Sequence, residues 1–139
     1  MARLIYTAVL GGAVLAATAL AAAPRSVALA GVLPGLWETT GVPGAKTPRR
    51  ECVRDVLVLA QYEHRGKSCA RTMVSESGAT AIIDYDCGGA GFGRSKVTTI
   101  TPRSLRIETQ GISANMPFNY LLQARRVGEC EDTDLAARH

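Results

Sequence analysis

The chain has 139 residues, 16 Lys and Arg against 12 Asp and Glu, and a formal net charge of +4. That length accommodates one domain and excludes a large multi-domain enzyme. Charged residues make up 20% and apolar ones 47%, a balance that excludes a disordered chain.

Arg3 is the sole charge among the first 24 residues, and residues 4–23 are apolar or small apart from a few mild polar interruptions. A charged start, an apolar run and a small-residue exit describe a secretory signal peptide. Ala28-Leu29-Ala30 is the best exit motif, which makes 1–30 the leader and Gly31 the mature N-terminus. Ala21-Ala22-Ala23 also has small residues in the right places, but Pro24 would follow that cut. The rival reading is an uncleaved anchor, because the run is long enough to span a bilayer. Its Ala and Gly content contributes little transfer energy, and cleavage is preferred. No Cys precedes position 52, which excludes a lipid-modified N-terminal cysteine. Without 1–30 the chain retains 14 basic and 12 acidic groups, net +2, so no stable membrane span is expected and a nucleic-acid role loses its main support.

The remaining chain, 31–130, reads as a series of short strands. Pro34-Gly35 is a turn, 36–40 a first strand, 41–48 a Gly/Pro loop and 49–52 a short second strand. Val53, Val56, Leu57 and Ala60 have helical spacing and predict one short helix over 55–61, followed by a polar loop at 63–68. Residues 70–86 predict a hairpin about Ser77-Gly78. That fold sets Cys69 opposite Cys87, Arg71 opposite Tyr85, Met73 opposite Ile83 and Ser75 opposite Ala81. The glycine run 88–93 predicts a flexible connection, with strands at 95–101, around Leu105 to Thr109, and at 117–127. Turns are expected at Pro102-Arg103 and 111–115, and 131–139 reads as a flexible acidic tail. The expected class is mainly β: an antiparallel meander of about six or seven strands, hairpin-linked, with one short helix inserted early. A curled sheet or half-barrel would hide its edges.

Cys52, Cys69, Cys87 and Cys130 in an exported chain predict disulfides. The hairpin register favours a bridge between Cys69 and Cys87, leaving Cys52 for Cys130; the alternative joins Cys52 to Cys69 and Cys87 to Cys130. No Cys-x-x-Cys is present, and His64 and His139 lack zinc-ligand spacing.

These landmarks together carry a resemblance. Pro34-Gly35-Leu36-Trp37-Glu38, Cys52 followed by an apolar residue, Cys69 and Cys87 flanking a hairpin, and Arg126-Val127-Gly128-Glu129-Cys130 occur in this order over about residues 33–130. The chain resembles the small exported bacterial proteins of domain-of-unknown-function family thirty-six-seventeen. Val53-Arg54-Asp55 departs from the Thr-Pro-Glu expected after Cys52. The resemblance implies a periplasmic or exported location in a Gram-negative bacterium. It supplies no catalytic or ligand residues.

Candidate chemistry is sparse. Asp84 and Asp86 share a strand face and could hold a cation, but a solvated outer face is the ordinary explanation. The glycine run lacks the following helix that a phosphate loop needs. His64, between Glu63 and Arg65, reads as a surface side chain; Arg49-Arg50 and Arg125-Arg126 are short basic pairs without an aromatic platform. A lone Trp37 beside Leu36 is more often core than ligand-stacking. No catalytic, metal or cofactor residue is assigned, and no enzyme is expected. The expected role is a non-catalytic exported domain that binds a protein or envelope component. The alternative is a carrier of a small apolar ligand lined by Trp37, Ile83, Tyr85, Phe118, Tyr120 and Leu122.

Overall fold

The computed structural model describes residues 26–131. The expected leader (but for its last five residues) and most of the expected tail lie outside the described residues. Seven strands form: β1 Gly35–Thr40, β2 Arg49–Val53, β3 Ala70–Ser77, β4 Thr80–Asp86, β5 Gly91–Thr101, β6 Ser104–Ser113 and β7 Met116–Gly128. All pair antiparallel in one sheet of order β2-β1-β7-β6-β5-β4-β3.

The mainly-β expectation holds, with two changes. The meander is continuous only from β3 to β7. β1 returns to pair with β7, so β2 and β3 lie at opposite edges. The chain crosses between them through the 3-10 segment Val56–His64, where a short helix over 55–61 was expected. Asp55 caps its start by accepting from the Leu57 N–H at 3.0 Å. Val56 and Val58 lower helix propensity, and Gln61 breaks the turn with non-helical angles.

The second change concerns closure. The sheet stays open instead of curling into a half-barrel, and the reason is a second layer. The 3-10 segment supplies Leu59, Ala60 and Tyr62 to the core, and the segment before β1 supplies Ala28, Leu29 and Val32. With one face covered by these segments, most of the large apolar side chains of the strands are buried without closure. The folded body therefore begins before the expected boundary at Gly31. The β3 edge is exposed along its whole length but carries Arg71, Glu76 and a bulge at Val74, features that discourage edge-to-edge pairing.

Register sorts every strand residue onto one face. The covered face holds Ala81, Ile83 and Tyr85 of β4, Ser95 and Val97 of β5, Leu105, Ile107 and Thr109 of β6, and Leu122 and Ala124 of β7, with Trp37 and Thr39 of β1. Trp37 is fully buried and its Nε1–H donates to the Leu33 carbonyl at 3.1 Å. The hairpin register holds from Ala70 opposite Asp86 to Met73 opposite Ile83. Past the bulge it shifts by one, so Ser75 faces Ile82 where Ala81 was expected. The disulfides join Cys52 to Cys130, with Cα atoms 5.4 Å apart, and Cys69 to Cys87, at 4.1 Å. No cysteine is free.

Candidate functional site

The strands place two side-chain rows on the uncovered face at the Cys69–Cys87 end. The first runs Ala70, Asp86, Phe92, Ile112, Pro117; the second runs Thr72, Asp84, Arg94, Gln110, Asn119. Between them lies a covered-face row: Arg71, Tyr85, Gly93, Gly111, Phe118. Two facing glycines in the middle of a sheet need an explanation, because glycine weakens a strand. A Cβ on Gly93 would overlap the Tyr85 hydroxyl, and one on Gly111 would overlap the Phe92 carbonyl oxygen and approach Phe118 Cζ to 2.9 Å. The glycines thus make room for the flanking rings.

A depression of about 870 Å³ opens there. Phe92 and Ile112 form an apolar end, Asp84, Arg94, Gln110 and Asn119 a polar one, and Tyr85, Gly93, Gly111 and Phe118 complete the wall. Arg94 Nε donates to Asp84 Oδ1 at 2.5 Å and Nη2 donates to Oδ2 at 2.8 Å. This fork holds the Asp84 carboxyl below the ordinary carboxylate range, although partial desolvation opposes it. Asp84 is therefore an anion already neutralised by its neighbour. Asp86 accepts from the Gly88 N–H at 2.8 Å and shapes the turn into β5. The two aspartates do not converge on a cation. Among the described residues, no three His, Cys, Asp or Glu side chains are grouped to hold a metal ion.

Behind the glycine row lies a buried polar cluster. His64, expected at the surface, is 4% exposed. The turn at the end of the 3-10 segment aims it inward, between Tyr85 at 5.6 Å and Phe118 at 6.0 Å between ring centroids. Its Nε2 meets the Ala90 carbonyl oxygen at 2.9 Å; a carbonyl only accepts, so Nε2 donates, and Nδ1 is buried without a partner. A Cβ on Gly91 would press on that Nε2, and Gly91 itself has φ +124°. The Tyr85 hydroxyl also lacks a well-formed hydrogen bond, and burial pushes its pKa up, with the nearby Thr109 hydroxyl opposing. Tyr120 donates to Glu63 Oε2 at 2.8 Å; burial first, then that carboxylate, push its pKa up. The Ser95 hydroxyl donates to the Ala60 carbonyl oxygen and accepts from the Thr109 hydroxyl at 2.8 Å.

Of the six residues expected to line a ligand site, the depression takes Tyr85 and Phe118. Trp37, Ile83 and Leu122 are packed in the core, and Tyr120 is half-buried against it. Phe92, Arg94, Ile112, Gln110 and Asn119 were missed, Phe92 because 88–93 reads as a loop and Ile112 because 111–115 reads as a turn. Running the two-residue alternation of β5 back to Gly91 is the signal that would have found Phe92 and Arg94.

The two ends of the sequence pattern meet at the other end of the sheet. Arg126 Nε donates to the Pro34 carbonyl at 2.6 Å, and its Nη2 pairs with Glu129. Any Cβ on Gly35 would strike the Arg126 guanidinium and the Gly128 carbonyl. Glu38 accepts from Arg50 at 2.9 Å and from Arg125 at 3.3 Å, which together lower its pKa against desolvation. Residues 32–130 match the family described as "Protein of unknown function (DUF3617)". The chain belongs to the DUF3617 family. No curated protein and no solved structure matches it. In this DUF3617 domain the Pro-Gly-Leu-Trp-Glu and Arg-Val-Gly-Glu-Cys segments are one structural joint, sealed by the disulfide to Cys52. They hold β1 on β7 and lie apart from the depression.

Proposed function

We propose that this DUF3617 domain is a non-catalytic binding module, exported to the periplasm or secreted by a Gram-negative cell, that holds a protein or other envelope component on its uncovered face. The observation that carries this reading is the mixed lining of the depression. Phe92 and Ile112 offer apolar surface beside a fixed ion pair and two side-chain amides, a combination suited to an amphipathic segment. Its charged groups neutralise each other, which favours recognition over acid–base chemistry. Two disulfides mark a domain that folds outside the reducing cytosol. Among the described residues no helix is long and apolar enough to cross a membrane. The carrier alternative keeps Tyr85 and Phe118 of its expected lining, while Trp37, Ile83 and Leu122 are packed in the core.

The test is a photo-crosslinking amino acid placed at Phe92 and, as control, at Ile100 near the far end of β5. The position-92 form is expected to trap a discrete envelope species in the periplasm, in an amount that falls at least tenfold with Arg94→Ala. Equal labelling from both positions would overturn the reading. A small molecule retained in native mass spectrometry, with no crosslinked macromolecule, would replace it with the carrier.

A further inference from the structure

The segment before β1 is built into the domain. Ala28, Leu29 and Val32 are at most 7% exposed and belong to the core cluster. Three donors converge on the Glu76 carboxylate of the edge strand β3: the Ser26 hydroxyl, the Ala28 N–H at 3.2 Å and the Val27 N–H at 3.3 Å. Ser26 Oγ in turn accepts from the Leu29 N–H at 3.2 Å. From the other side, the Thr99 hydroxyl of β5 donates to the Ala28 carbonyl at 2.8 Å, and the Leu33 N–H donates to the Pro102 carbonyl at 3.0 Å. The segment therefore spans from the sheet edge to the turn between β5 and β6. A cut after Ala30 would remove Ser26, Ala28 and Leu29, leave Thr99 without its acceptor, and open the core at that end.

We propose that the leader is removed upstream of Ser26, so that residues 26–32 stay on the mature protein, and that the scissile bond is the one after Ala21. This rests on the export reading given above. Ala19-Leu20-Ala21 places small residues at the two positions such endopeptidases read, and it moves Pro24 to the third position beyond the cut. Water hydrolyses the amide between Ala21 and Ala22 on a membrane-bound endopeptidase. The leader leaves with the new carboxylate and the domain keeps the new α-amino group. Glu76 then anchors the start of the mature chain, where a discarded leader would have had no use for three converging donors.

The experiment is N-terminal sequencing and intact mass of the full chain, expressed with its own leader in a Gram-negative host and fractionated. A start at Ala22, or at any residue up to Ser26, in the periplasmic fraction is expected. A start at Gly31 overturns this inference and leaves the export reading standing. An uncut chain in the cytosol overturns both, and an uncut chain in the membrane overturns the processing alone. Purified forms starting at Ala22 and at Gly31 give a second readout. The shorter form is expected to melt at least about 8 °C lower. Glu76→Ala should lower the melting temperature of the longer form and leave that of the shorter unchanged. Equal melting of the two forms, or an equal Glu76→Ala effect in both, would defeat the proposal.

Discussion

The same strands present two unlike faces. On the covered one, Trp37, Ile83, Ile107 and Leu122 are packed to at most 1% exposure. On the other, the partners one residue along are Glu38, Asp84, Glu108 and Leu121, all surface or near-surface side chains. Strand pairing is common to both, so the difference lies in what covers them. A layer of two irregular segments, rather than a second sheet, makes one face core and leaves its reverse open to solvent. Stability should therefore respond to changes on one face and recognition to changes on the other.

The largest expected effects come from the covalent ties of that covering. Replacing Cys52 and Cys130 together by Ser should cost about 4.5 kcal/mol, because the closed loop spans 78 residues. The pair Cys69 and Cys87, separated by 18, should cost about 3 kcal/mol. Denaturant unfolding of the two double variants checks the order. The reverse order would mean that the glycine end, and not the joint between β1 and β7, closes the domain. Trp37→Ala, which removes the largest fully buried side chain among the described residues, belongs in the same range, at about 3–5 kcal/mol.

Gly93→Ala tests the boundary between the faces. Its Cβ would meet the Tyr85 ring and the Gln110 carbonyl, so a loss of about 1–3 kcal/mol is expected. Gly89→Ala meets nothing within 4 Å, and its stability should stay within about 0.5 kcal/mol of the parent. Equal values would show that the glycine row is not closely packed against Tyr85.

Titration should separate the faces by sign. Glu38 and Asp84, with arginine partners on the open face, have lowered pKa values. Their contribution is present above the ordinary carboxylate pKa and is lost as pH falls through the lowered values. Tyr62, Tyr85 and Tyr120, in or under the covering layer, have raised pKa values, chiefly from burial. Their contribution is present below about pH 10 and is lost as pH rises beyond it. Melting temperature against pH should therefore be flat near neutrality and fall on both sides. Arg94→Ala should soften only the acid branch and Tyr120→Phe only the alkaline one.

Much of the strand plan was legible because alternation and turn residues are local signals. Parity placed Cys69 against Cys87, and it failed only past Val74, where a bulge adds a residue that no local pattern announces. The strand order was not legible, since the return of β1 to β7 depends on contacts across the whole chain. His64 was misjudged for a related reason: its neighbours Glu63 and Arg65 are polar, but a kinked 3-10 turn decides which of the three points inward. The depression escaped because glycines at 88–93 suggest a loop, whereas Gly91 and Gly93 are the residues small enough to let His64 and Tyr85 lie against β5. Polar side chains on an outward face also look the same in sequence whether or not they border a site.

The smallest effect on stability should be Arg94→Ala. The pair with Asp84 is short and forked, but both side chains are roughly half exposed, at 53% and 41%. Solvent screens such pairs to about 0–1 kcal/mol, so the variant should unfold within that margin of the parent at neutral pH. Recognition is a separate matter, because removing the guanidinium leaves Asp84 as an uncompensated charge inside the depression. A partner segment covering Phe92 would then have to desolvate that charge, and capture should fall at least tenfold. Replacing Asp84 by Asn in the same variant removes the stranded charge, and part of the loss should return. If capture stays low in the double variant, the guanidinium itself contacts the partner. If Arg94→Ala changes neither stability nor capture, the partner binds elsewhere, and the contrast between the faces says nothing about function.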